Sequence, residues 1–220
     1  MLKKILLVVV VLVLAFVGFV ASRPSAYKVE RAHTVNAPAE VAFAQVADFH
    51  KWEAWSPFAK LDPSMKTTFD GAAGAVGSSY AWEGNDKVGA GKMTIVEVAP
   101  SASVKIKLEF LKPWKSTADT VFTFAAVENG TKTTWTMAGN HDFMGKAFSL
   151  FGDMDKMIGA DFEKGLAQLD TTAAAEAKKI AEAAAQAAAA AAVPTENAEP
   201  AADPAPAVVP AAATAGKATK

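Results

Sequence analysis

From Val104 to Phe110 the chain alternates without a slip: Val104, Ile106, Leu108 and Phe110 on one side, Lys105, Lys107 and Glu109 on the other. A period of two specifies a strand with one dry face and one wet face, the signature of an antiparallel sheet. The dry face needs a cover, and that requirement limits the architectures open to the chain. Flanking segments extend the pattern. Met65 to Asp70, Ser78 to Glu83, Lys92 to Val98, Thr117 to Ala125 and Thr131 to Gly139 read as further strands. Gly84-Asn85-Asp86-Lys87, Pro100-Ser101 and Asn129-Gly130 read as turns, the last a strong hairpin signal. Gly89 and Gly91 mark a bulge.

The cover follows in sequence. Phe143, Ala147, Leu150, Phe151, Met154, Met157, Ile158, Phe162, Gly165, Leu166 and Leu169 recur at helical spacing. Gly152, Gly159 and Gly165 are poor helix formers in such a run and point to close packing or a kink. Before the sheet, Tyr27 to Val35 reads as a first strand, and Asn36-Ala37-Pro38 as a helix start with Pro at the first helical position and Glu40 in the first turn. Trp52 and Trp55, three apart, share one side of a short helix that Ser56-Pro57 ends. The expected class is α+β: one strand, two short helices, a run of antiparallel strands, one long helix.

The two ends differ from this body. Ile5 to Ala21 carries no charge over seventeen residues, between Lys3-Lys4 and Arg23. As a helix it spans roughly 25 Å, short of the roughly 30 Å hydrocarbon core unless the flanking cations snorkel. A retained anchor and a cleaved signal peptide both fit, the latter with Val20-Ala21-Ser22 as the small-residue site. The long Val/Leu/Phe-rich run favours the anchor. Lys3 and Lys4 favour a body on the periplasmic or extracytoplasmic side, whereas Arg23, Lys28 and Arg31 on the other flank weaken that orientation. At the far end, fourteen of the twenty residues from Ala173 to Ala192 are Ala, which suits a helix. Beyond Val193 come five prolines and no aromatic residue, too little apolar surface to offset chain entropy, so a disordered tail is expected. The expected organisation is an anchor or signal segment at 1–24, one folded domain at 27–172 and an Ala/Pro-rich tail at 173–220.

Several functions find no support. A net charge of −1 gives no electrostatic footprint for nucleic acid. The absence of cysteine removes disulfides, thiolate catalysis and lipoprotein acylation. His33, His50 and His141 share no ligand spacing, so no metal is expected. Gly71, Gly74 and Gly77 lead into a strand rather than a helix, and Gly91-Lys92 lacks the rest of a P-loop, so no nucleotide cofactor is expected either. Asn129-Gly130-Thr131 matches a glycosylation sequon that the hairpin turn explains fully. There is no G-x-S-x-G elbow.

Four blocks in order carry a resemblance: Asn36-Ala37-Pro38 with Glu40, Val41 and Phe43; Asp48-Phe49 with Trp52 and Trp55-Ser56-Pro57; Tyr80-Ala81-Trp82-Glu83-Gly84; and Phe162 with Gly165-Leu166 and Leu169. They cover nearly the whole body and resemble the START-like helix-grip superfamily, in particular its polyketide cyclase/dehydrase-like (SRPBCC) members. The resemblance implies a curved antiparallel sheet wrapped around a long C-terminal helix, enclosing an apolar cavity. It implies a range of activities, from lipid binding through cyclase and dehydratase chemistry to chaperone regulation, so the fold does not choose among them.

Within that frame Trp52 and Trp55 are expected either to wall the cavity mouth or simply to pack between the short helices and the long one. Together with Tyr80, Trp82, Met93, Phe110, Trp114, Phe122, Trp135, Met137, Phe143, Met154 and Met157 they form the candidate ligand-contacting set, much of which is core in any fold. Three residues are candidates for acid–base work. Glu83 follows Trp82 at a strand end, although alternation turns it toward solvent. Asp161 falls inside the apolar stripe of the last helix, where it either accepts a hydrogen bond from an indole or backbone N–H or faces ligand. His141 follows a strand beside Asp142. The reading that results is membrane-tethered binding of a hydrophobic small molecule or lipid. A cyclase- or dehydratase-type enzyme and a chaperone-type interaction module are the alternatives.

Overall fold

The structure is a computed structural model that describes residues 1–191; the proline-rich segment expected to be disordered lies outside the described residues. By its internal contacts the chain divides into a unit of Met1–Glu182 and a second beginning at Ala183. The first unit opens with α1 (Leu2–Ser22), a helix long and apolar enough to cross a membrane. After it come β1 (Ala26–Val35), α2 (Ala39–Ala47), a single 3-10 turn (Phe49–Lys51) and α3 (Trp52–Trp55). Six strands follow: β2 (Lys66–Asp70), β3 (Ser79–Glu83), β4 (Ala90–Ala99), β5 (Ser103–Lys112), β6 (Ser116–Val127) and β7 (Gly130–Asn140). The chain then forms α4 (Phe143–Phe148) and α5 (Met154–Ala191).

All seven strands join one antiparallel sheet in the order β1-β7-β6-β5-β4-β3-β2. Each strand from β2 to β7 pairs with its sequence neighbour, and β1 closes the far edge on β7. The alternation in β5 orders the two faces as expected. Val104 and Ile106 are fully buried, while Lys105 reaches Asp119 of β6 at 3.1 Å and Lys107 reaches Glu109 at 2.8 Å. The β6–β7 hairpin turns at Gly130, whose φ of 134° lies where only glycine is comfortable. The bulge anticipated at the glycines is present: the β4–β5 register shifts between Ala90 and Gly91.

Helix α5 lies on the dry face along a buried line of Gly159, Phe162, Gly165, Leu166, Leu169 and Ala173. Two of its glycines permit contact that a side chain would block. A Cβ at Gly165 would sit 2.9 Å from both Pro57 and the Trp135 ring, and one at Gly159 would collide with the Arg31 guanidinium. Phe162 stacks flat on Trp135, with centroids 3.8 Å apart and planes 7° from parallel. Polar ties fix the same helix to β1 and its end. Arg31 donates to Asp155 and Glu163, and Asp170 accepts from the backbone and side-chain N–H groups of Asn36.

Two expectations need correction here. The last helical run is not one element from Phe143 onward, because Ser149–Asp153 interrupts it. The side chain of Asp153 accepts from the backbone N–H groups of Asp155 and Lys156, starting a new helix as an N-cap does. Pro38 stands just before α2 rather than in its first turn, its carbonyl accepting from Val41 and Ala42. Helix α5 continues through Thr172, with Ala173 fully buried and Ala177 packed on the core.

Candidate functional site

The two tryptophans of α3 owe their spacing to packing and capping. Trp52 Nε1 donates to Val46 O at 2.8 Å and Trp55 Nε1 donates to Gln45 O at 3.1 Å. Both acceptors belong to the last turn of α2, whose carbonyls have no partner within their own helix. The rings lie 4.7 Å apart and meet Phe122 and Trp135, so the space between sheet and α5 is occupied by interlocked aromatic side chains. The resemblance implied an enclosed apolar cavity at this place. Instead Trp52, Trp55, Met93, Phe122, Trp135 and Met137 are buried in one continuous core. A hollow beside Phe49 and Ser78 measures about 10 Å³, too small for an organic ligand.

The other members of the expected set scatter. Tyr80, Trp82 and Phe110 form a half-buried aromatic row along β3 and β5, with Tyr80 and Trp82 stacked at 5.9 Å. Trp114, Phe143 and Met157 are exposed. Among the candidate acids and bases, Glu83 points to solvent and is held ionised by its hydrogen bond to Lys112, which lowers its pKa. Asp161 is not buried in the apolar stripe. The stripe runs through Phe162, Leu166 and Leu169, which puts Asp161 at its margin, 41% exposed and paired with Lys164 at 3.1 Å. It accepts no indole N–H, since the α3 tryptophans are spent on α2. His33 approaches Asp170, His50 binds Asp48, and no metal-holding cluster of His, Asp or Glu occurs among the described residues.

The third candidate, His141, lies in a concavity. An open groove of about 580 Å³ lies between the start of β1, the end of β7 and the link from α4 to α5. This is within the usual range for small-molecule sites. Tyr27, Val29, Leu150, Phe151 and Met154 give it apolar wall, and Arg23, Lys28, Asp153 and Asp155 give it a charged rim of both signs. The His141 ring lies 4.6 Å from that of Tyr27, tilted by 30°. Burial raises the pKa of the Tyr27 hydroxyl, so it stays protonated. At the rim, Asp155 takes hydrogen bonds from Arg31 that hold its carboxyl below the usual range, which makes it a fixed anion rather than a proton donor.

Of the expected site residues, only His141 and Met154 meet in this groove. Tyr27, Leu150 and Phe151 were not singled out as a group by the sequence. The groove exists because the terminal helical run breaks, and the pair Gly152-Asp153, a helix breaker followed by a capping side chain, was the signal that could have located it.

Residues 26–174 match the family model described as "Polyketide cyclase / dehydrase and lipid transport". No curated protein sequence matches the chain. Among solved structures, one from Rhizobium leguminosarum is 14% identical with a TM-score of 0.52, covering 69% of this chain and 96% of its own. A Chromobacterium violaceum protein is 13% identical with a TM-score of 0.50, covering 67% of this chain and 96% of its own. The di-domain ARO/CYC StfQ from the steffimycin biosynthetic pathway is 12% identical with a TM-score of 0.52, over 72% of this chain and 52% of StfQ. At these identities the likeness concerns the fold.

Proposed function

Because the chain belongs to the polyketide cyclase/dehydrase and lipid transport family, we propose that it binds a hydrophobic small molecule or lipid in the open groove while α1 holds it at a membrane. One observation carries this reading. Arg23, the first residue after α1, is part of the groove wall, so the groove opens beside the end of the apolar helix. A ligand that partitions into a bilayer would meet the groove at the membrane surface, and the tether raises the local concentration of binding sites there. The wall suits an amphiphile: Leu150 and Met154 for its apolar part, the charged rim for its polar end. Lys3 and Lys4 favour an N-terminus on the cytoplasmic side and a body on the periplasmic or extracytoplasmic side.

Uptake of a fluorescent fatty-acyl probe by the full chain in vesicles tests this reading. The wild type should bind saturably, and Met154→Trp, which fills the groove, should weaken binding by at least about tenfold, the equivalent of ~1.4 kcal/mol. Equal uptake by both would remove the groove from the account. A second reading has its own observation, the close His141–Tyr27 pair on the groove wall, which could exchange a proton with a bound substrate. Under that reading His141→Gln retains ligand but no longer changes its mass.

A further inference from the structure

Helix α4 and the link after it expose several large apolar side chains that no element among the described residues covers. Phe143, Met144 and Phe148 are each exposed, Phe151 is 84% exposed, and Trp114 is 62% exposed with its ring 5.6 Å from Phe148. Isolated apolar residues on a surface need no explanation, but a contiguous aromatic patch does. The patch has a fixed relation to α1. Helix α4 packs against the end of α1, where Val20 is fully buried and Lys146 Nζ donates to Ala21 O at 3.2 Å.

We infer that this patch inserts into the lipid–water interface of the bilayer that α1 crosses, so that the body is seated on the membrane and not merely leashed to it. The inference rests on the reading of α1 as a membrane span. If α1 crosses the bilayer, its last turn lies at the headgroup level, and α4 touches that turn. Exposed Phe, Met and Trp side chains at that depth reach the headgroup–acyl boundary, where aromatic residues are favoured. Charge complementarity points the same way. Arg23 at the end of α1, Lys146 on α4 and Lys115 next to Trp114 suit the phosphates of lipid headgroups, which face the body on either side of a membrane. The acidic groups on the same segment, Asp142 and Asp153, are engaged by backbone N–H groups at the starts of α4 and α5. Seated in this way, the groove would open at the interface itself, because Phe151 belongs to both patch and groove wall.

The cysteine-free chain allows a clean test. Single-cysteine variants of the full chain, Met144→Cys, Phe151→Cys, Leu12→Cys within α1 and Thr68→Cys on the exposed β2, carry an environment-sensitive NBD label in phosphatidylcholine/phosphatidylglycerol vesicles. Externally added dithionite should bleach the labels at 144 and 151 at least about fivefold more slowly than that at 68, as for side chains sunk into the interface. Adding Phe148→Ser should restore fast bleaching at 144. Protection at 12 with fast bleaching at 144 and 151 overturns the docking while leaving the tether intact. Fast bleaching at 12 removes the span, and the inference with it. Equal protection at 144 and 151 in lipid-free amphipol would assign the patch to a second copy of the chain and also overturn it.

Discussion

Truncating Trp55 to alanine separates a packed interior from a ligand-lined one. Trp55 is 1% exposed and meets Trp52, Phe122 and Trp135 at centroid distances of 4.7, 6.0 and 5.8 Å. A buried indole removes roughly 150–250 Å² from water, which at about 25 cal/mol per Å² corresponds to about 4–6 kcal/mol of gross burial. Alanine retains a small part of that, and the neighbours relax partly into the void. Loss of the donor to Gln45 O adds a further penalty at the end of α2. The net expectation for Trp55→Ala is about 4 kcal/mol, inside the usual ~3–5 kcal/mol for such truncations. That is a large fraction of the ~5–15 kcal/mol stability of an ordinary domain. Urea titration of the full chain in mild detergent, followed by near-ultraviolet circular dichroism, reads the change. Trp114→Ala, at a residue 62% exposed, should stay within ~1 kcal/mol and serves as the control. A Trp55→Ala cost below about 2 kcal/mol would refute a filled core, because a ring bordering open space has much less contact to lose.

Other outcomes follow from the same geometry. Gly165→Ala should lower stability by about 1–3 kcal/mol in the same titration, because its Cβ would press on Pro57 and Trp135. Arg31→Gln should lower the melting temperature near neutral pH but not in strong acid. The Asp155 carboxyl is depressed in the folded state, so its stabilisation is present above its ordinary value of 3.8 and is lost as pH falls through the lower folded value. Melting curves of both proteins from pH 7 to pH 2 should therefore converge at the acid end. Asp161→Asn should change stability by no more than ~0.5 kcal/mol and leave probe binding unchanged, since it removes only an exposed ion pair with Lys164.

What the sequence revealed and what it hid follow from the range of the forces involved. The alternation of Val104 to Phe110 and the Asn129-Gly130 turn are set by backbone sterics and face polarity, both local, and the sheet follows them. The helical period of the last segment was equally plain, but periodicity does not register a break when the residues on both sides are apolar. Met157 therefore read as core, whereas the restart at Met154 turns it outward to 68% exposure. Asp161 was misplaced by the same one-turn ambiguity. Whether Trp52 and Trp55 would line a space or fill one depended on how closely α5 approaches β7. That distance is set by Gly165 and by the flat stack of Phe162 on Trp135, contacts between residues far apart in the chain. The groove was hidden for a related reason: Tyr27 and His141 meet only because the sheet places β1 beside β7, strands far apart in the chain.

The most direct test of the account is native mass spectrometry of the full chain, released from mild detergent after purification from its host, beside its Met154→Trp variant. A hydrophobic ligand in the groove predicts an apolar mass bound to the wild type, removable by solvent extraction and missing from the variant. Bare protein in both samples, with no uptake of an added hydrophobic fluorophore, would contradict it.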